Sequence, residues 1–106
     1  MAKIASKAVR DAARDEECTV RIAGICNCRT DTTVFAHLPD ESKGMGTKAD
    51  DLSGCFACSA CHDALDGRRK HDLSAEEVEW YMRRALVRTW RRLFEKRVMT
   101  IKGAAA

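Results

Sequence analysis

The sharpest periodicity in the chain lies toward its C-terminal end. Val78, Tyr81, Met82, Ala85, Leu86, Thr89, Leu93 and Phe94 recur at three- and four-residue spacing, which draws one stripe along a helix. Ser74 with Glu77 three residues later is a capping-box signature, so the pattern predicts a long amphipathic helix over about 75–97. Arg83, Arg84, Arg88, Arg91, Arg92, Lys96 and Arg97 fall on its flanks. Trp80 and Val87 lie off the stripe, where they can cover the N-terminal helix or a second chain.

Upstream the elements are short. Ser6–Arg14 places Ala8, Val9, Ala12 and Ala13 behind a capping serine and predicts a short helix. Cys18–Ile22 alternates and reads as a strand, with Gly24 turning the chain toward Cys26-Asn27-Cys28. Thr32–Leu38 is β-branched and aromatic up to His37 and predicts a second strand, ended by Pro39. From Asp40 to Asp51 there is no periodicity, and Gly44-Met45-Gly46-Thr47-Lys48 reads as a flexible loop. Leu52–Ala57 predicts a third strand, and Cys58-Ser59-Ala60-Cys61 leads into a helix through Leu65 that Gly67 stops. The fold class is α+β.

A length of 106 residues fits one domain over 1–106. Three Phe, two Trp and one Tyr are a thin aromatic supply for a chain that is 33% charged, so a covalent or metal staple is expected. Six cysteines could provide either. Met1–Arg14 has no apolar run of the kind a secretory signal needs, and no stretch is long and apolar enough for a membrane span. The expectation is a cytoplasmic protein without membrane association, in which paired cysteines hold metal rather than form disulfides.

Cys58-x-x-Cys61 is the strongest local motif. Two intervening residues let a tight turn aim both sulfurs at one zinc ion. Completing four ligands takes two more thiolates, and Cys18 with Cys26 is the favoured pair, with Cys28 as the alternative to Cys18. Cys55, in an apolar strand, fits a buried free thiol. A zinc site assembled from such distant residues contributes to folding itself.

Charge adds a partner. Residues 1–67 carry eight Lys/Arg against eleven Asp/Glu, whereas residues 68–106 carry eleven against five. A basic half suits phosphate and points to DNA, with Arg83, Arg84, Arg88, Arg91 and Arg92 as candidate contacts; a solvated helix face would look the same.

The order of these pieces resembles a known family. Val34-Phe35-Ala36-His37-Leu38-Pro39, a glycine-containing loop, Asp51-Leu52 opening a strand, and Cys58-x-x-Cys61-His62 entering a helix are similar to the HNH, or ββα-metal, endonucleases. The nearer likeness is to small YbcO-like nucleases of lambdoid prophages, over roughly residues 10–70, with the motif core at about 18–70. The resemblance implies a zinc-stapled ββα-metal core and metal-dependent hydrolysis of DNA phosphodiesters. It implies that His37 is the general base, that His62 and Asp66 hold a catalytic divalent cation such as Mg²⁺, and that Asp51, at the middle position of the motif, braces the loop carrying His37. Two departures stand out: Ala36 replaces the acidic or histidine ligand that often precedes the base, and the middle residue is Asp rather than Asn. His71 is a substitute ligand. The competing class is a non-catalytic zinc-bound DNA-binding module. The chain is expected to be a monomer or homodimer.

Overall fold

A computed structural model describes residues 3–40 and 49–106, so the predicted glycine loop at 44–48 lies outside the described residues. Among the described residues the fold is α+β, with three α-helices, one 3-10 turn at Thr30–Thr32 and a two-stranded sheet. Helix α1 (Lys7–Asp11) starts where Ser6 accepts a hydrogen bond from the Val9 N–H, as its capping position predicts. It is shorter than expected: past Asp11 the N–H groups of Ala13, Arg14 and Glu16 bond three residues back in successive turns, and Asp15 then takes φ 60°. The buried Ala12 and Ala13 nevertheless reach the core.

Strands β1 (Val34–His37) and β2 (Gly54–Ala57) pair antiparallel, with Val34 opposite Ala57 and His37 opposite Gly54. Both are shorter than the sequence suggests, and Leu52 is exposed ahead of β2. The pleat divides the ribbon into two faces. Ala36, Cys55 and Ala57 pack with Val20, Ile22 and helix α2 (Ser59–Leu65). Phe35 and Phe56 pack on the other side with Ala12, Ala13 and Leu93. Gly54 has a steric role here: a Cβ on it would lie 2.3 Å from the Phe35 ring.

The expected strand at Cys18–Ile22 does not form. Arg21 adopts a left-handed φ of 54°, which breaks any ladder and curls the segment around Cys18. Only Thr19 pairs with the sheet, its N–H donating to Phe56 O at 2.7 Å.

Helix α3 (Ala75–Glu95) carries the predicted capping box in full. Ala85, Thr89 and Leu93 are buried, and Tyr81, Met82 and Leu86 pack beside them. Phe94 belongs to the opposite side of the helix, since it stands nine residues from Ala85 and near the line of Trp80 and Val87. Thr89 serves the outer edge of β2. Its hydroxyl accepts the Phe56 N–H at 3.1 Å and lies 3.0 Å from the Thr19 hydroxyl. No helix among the described residues is long and apolar enough to cross a membrane.

Candidate functional site

Cys18, Cys26, Cys58 and Cys61 converge, with their sulfurs all within 4.8 Å of one another. Cys26 and Cys58 are 3.9 Å apart, Sγ to Sγ. A tetrahedral zinc with bonds of about 2.3 Å has sulfur–sulfur edges of about 3.8 Å, whereas a disulfide closes to about 2.05 Å. Local backbone shape supports thiolates. The Cys61 N–H donates to Cys58 Sγ at 3.4 Å. The N–H groups of Arg21, Cys58 and Val20 serve Cys18, that of Cys28 serves Cys26, and that of Ile22 serves Cys61. The left-handed Arg21 and Cys28 are what turn these groups inward.

Without a cation the four thiols compete for protons. A hydrogen bond from Cys61 is the main cause that draws Cys18 down to about 4, whereas burial, joined by the neighbouring sulfur charges, pushes Cys26 up to about 12. A divalent cation removes that competition by allowing every sulfur to ionise. These four cysteines therefore could hold a metal ion such as zinc. Cys28 is exposed and outside the cluster. Cys55 is buried in β2, and burial pushes its thiol up to about 12.

At the far end of β1, His37 Nε2 lies 2.7 Å from Asp51 Oδ1. The second Asp51 oxygen accepts from the Ser6 N–H at 2.6 Å and from Arg10 Nη1 at 2.5 Å. Burial pushes the Asp51 pKa upward, but the hydrogen bonds from Ser6, His37 and Arg10 outweigh it and hold the carboxyl below its usual 3.8. Asp51 is thus a buried, ionised carboxylate held between α1 and the hairpin. The Phe35 ring meets the His37 ring edge-on, 5.2 Å between centroids. Ser6 and Arg10 were invisible as site partners in the sequence, being 45 and 41 residues away from Asp51.

His62 and Asp66 form a second pair, 3.1 Å apart on the exposed side of α2. Arg68 reaches both Asp66 and Asp63. The pleat turns His37 to the Phe35 side, while α2 packs on the Ala36 side. Ala36 is the strand residue aimed toward α2, and it is buried. Among the described residues, the four cysteines are the one convergent group of three or more His, Cys, Asp or Glu. His71 Nδ1 accepts the Leu73 N–H, which ties it to the turn before α3.

The basic helix divides in function. Arg88 donates to Thr19 O at 2.9 Å, and Arg92 pairs with Glu16, so both fasten α3 to the segment after α1. Arg83, Arg84 and Arg91 are exposed, with the Arg84 guanidinium 4.3 Å from the centre of the Trp80 ring.

Comparison with known proteins agrees with this architecture. The family model described as "Putative nuclease YbcO" matches residues 7–98. A relative of that name from Escherichia coli (strain K12) is 50% identical over 68 residues, which cover 63% of this chain and 70% of the relative. A second, from Enterobacteria phage 82, matches with the same identity and coverage. A solved structure described as "a putative bacteriophage protein" from Escherichia coli superimposes with a TM-score of 0.68 at 37% identity, covering 85% of this chain and all of that one. With a family model spanning α1 to the end of α3, the chain belongs to the YbcO family.

Proposed function

We propose that this protein is a metal-dependent endonuclease that hydrolyses DNA phosphodiesters, with His37 as the general base. The His37–Asp51 pair carries this reading. An ionised carboxylate has no hydrogen to give, so Nε2 holds the ring proton and Nδ1 keeps a free lone pair. As the water oxygen bonds to phosphorus and the bond to the 3′ oxygen breaks, the water proton passes to Nδ1. Asp51 then faces an imidazolium, whose charge it stabilises. His62 and Asp66 would hold the divalent cation, which when bound supplies positive charge to the phosphate and the departing oxygen. Arg69 and Lys70, exposed just beyond them, suit the flanking phosphates. In this reading β1, β2 and α2 are the ββα-metal core of an HNH-type enzyme, and zinc on the four cysteines is its structural clamp. The nuclease names of the relatives support the same class.

Three observations favour the competing reading, a zinc-bound DNA-binding module. His62 and Asp66 gather no third ligand among the described residues, Ala36 fills the strand position facing α2, and His37 projects to the opposite, Phe35 side of the ribbon.

Divalent-dependent nicking of duplex, single-stranded and branched DNA decides between them. His37→Ala is expected to lose about 10²–10⁴-fold in rate while keeping DNA binding and zinc. His62→Ala should lose activity that high Mg²⁺ or Mn²⁺ partly restores. No cleavage by the wild type on any of these substrates, or undiminished cleavage by His37→Ala, overturns the assignment.

A further inference from the structure

Among the described residues, four of the seven large apolar side chains that remain exposed lie on α3 or just beyond it. Trp80, Val87 and Trp90 are 53%, 46% and 40% exposed on α3, and Ile101 just beyond it is 56% exposed. Trp80, Val87 and the half-buried Phe94 are spaced by seven residues, so they line up within about 20° per step on the side of α3 turned away from the core. A heptad seam of this kind fits another helix. The chain's own Ile101 and Ala104–Ala106 line a groove with Val87, Trp90 and Phe94, yet Trp80, Val87 and Trp90 stay exposed in a single copy, and exposed patches of this composition mark contact surfaces.

The order large–small–large reads the same in both directions. A two-fold axis through Val87 would set Trp80 against Phe94 of a second copy, twice, with Val87 meeting its own counterpart. Self-complementarity of this type is what an isologous dimer requires. The flanks agree with it. On one side Arg83 comes level with the second copy's Trp90 ring, an attractive cation–π arrangement, and Arg83 has no ion pair among the described residues. On the Trp90 flank nucleic acid is a poorer occupant, because the groove beside Trp80 and Trp90 is lined by Asp40, Glu76 and Glu79 against Arg83.

We infer that the outer face of α3 is an antiparallel homodimer interface centred on Val87. On the remaining flank it brings Arg84 and Arg91 of both copies together at the rim. Added salt screens that repulsion, so association strengthens with ionic strength.

The test is the mass of the full-length protein by sedimentation equilibrium at low and high salt, with variants. The wild type should have the mass of two chains, more completely at high salt, and Val87→Lys the mass of one with unchanged zinc content and circular dichroism. In a Cys28→Ser background, Val87→Cys should cross-link to itself on mild oxidation. Trp80→Cys should not, because its counterpart lies about 21 Å along the paired helices. A monomeric wild type, a dimer indifferent to Val87→Lys, or equal cross-linking of both cysteines overturns the inference. So does tryptophan quenching by DNA in a protein that stays monomeric. None of these readouts depends on cleavage.

Discussion

The Thr89 hydroxyl accepts the backbone N–H of Phe56 at 3.1 Å, and through it a helix completes the open edge of a two-stranded sheet. Thr89 is fully buried, and so is Phe56. A threonine within an apolar helical stripe therefore has a specific reason to be there. The strand edge would otherwise bury an unpaired N–H.

Thr89→Val keeps the shape and removes the acceptor. The expected loss is about 1–3 kcal/mol, the desolvation cost of a buried group left unpaired. Thr89→Ser should retain most of that stability. Urea unfolding of the two variants checks it, and equal stability would show that the hydroxyl is dispensable.

Elemental analysis should find about one zinc per chain, the number a single four-thiolate site takes. Cys58→Ser should lose the metal and most of the folding stability, since the ligands meet only in the folded chain. Cys28→Ser should change neither. A folded, metal-free protein, or zinc loss in Cys28→Ser, would contradict the cluster at Cys18, Cys26, Cys58 and Cys61.

Asp51 links stability to pH. Its folded pKa lies below its usual 3.8, so its contribution is fully present above that value. It fades as pH falls through the lower, folded pKa. Asp51→Asn should therefore be less stable than the wild type near neutrality, with the gap closing in acid. A gap that is constant with pH would rule out an ionised Asp51.

Gly54→Ala tests the contact that fixes Phe35. The new Cβ would stand 2.3 Å from the ring, so the ring must swing away from β2 and from its edge contact with His37. Overpacking of this kind costs about 1–3 kcal/mol. Thermal unfolding reads the cost, and an unchanged midpoint would mean that Phe35 has room to spare.

What the sequence made legible was local. The capping box at Ser74 and Glu77, the buried side of α3 and the turn at Cys58–Cys61 all follow from spacing over a few residues. Cys58 and Cys61 could be singled out because a two-residue spacing restricts geometry so strongly, whereas Cys18 and Cys26 were favoured on a strand and turn that the fold replaces with a curled segment. Cys18–Ile22 misled because alternation alone cannot reveal a left-handed residue at Arg21, which bends the chain to serve a sulfur. Arg88 and Arg92 look like Arg83 and Arg91 in sequence. Only the fold brings Thr19 and Glu16 within their reach. The pairing of His37 with Asp51 spans 14 residues, and its further partners in α1 have no sequence signature.

Ser6 and Arg10 both end on Asp51, so the imidazole of His37 is oriented in part by the first turns of the chain. Purification tags, N-terminal trimming or proteolytic nicks ahead of Asp11 would act as remote substitutions at this histidine. They would loosen the carboxylate behind it while leaving the hairpin and the cysteine cluster covalently untouched. Under the role proposed for His37, an inactive preparation with a frayed N-terminus would report on the wiring of the imidazole.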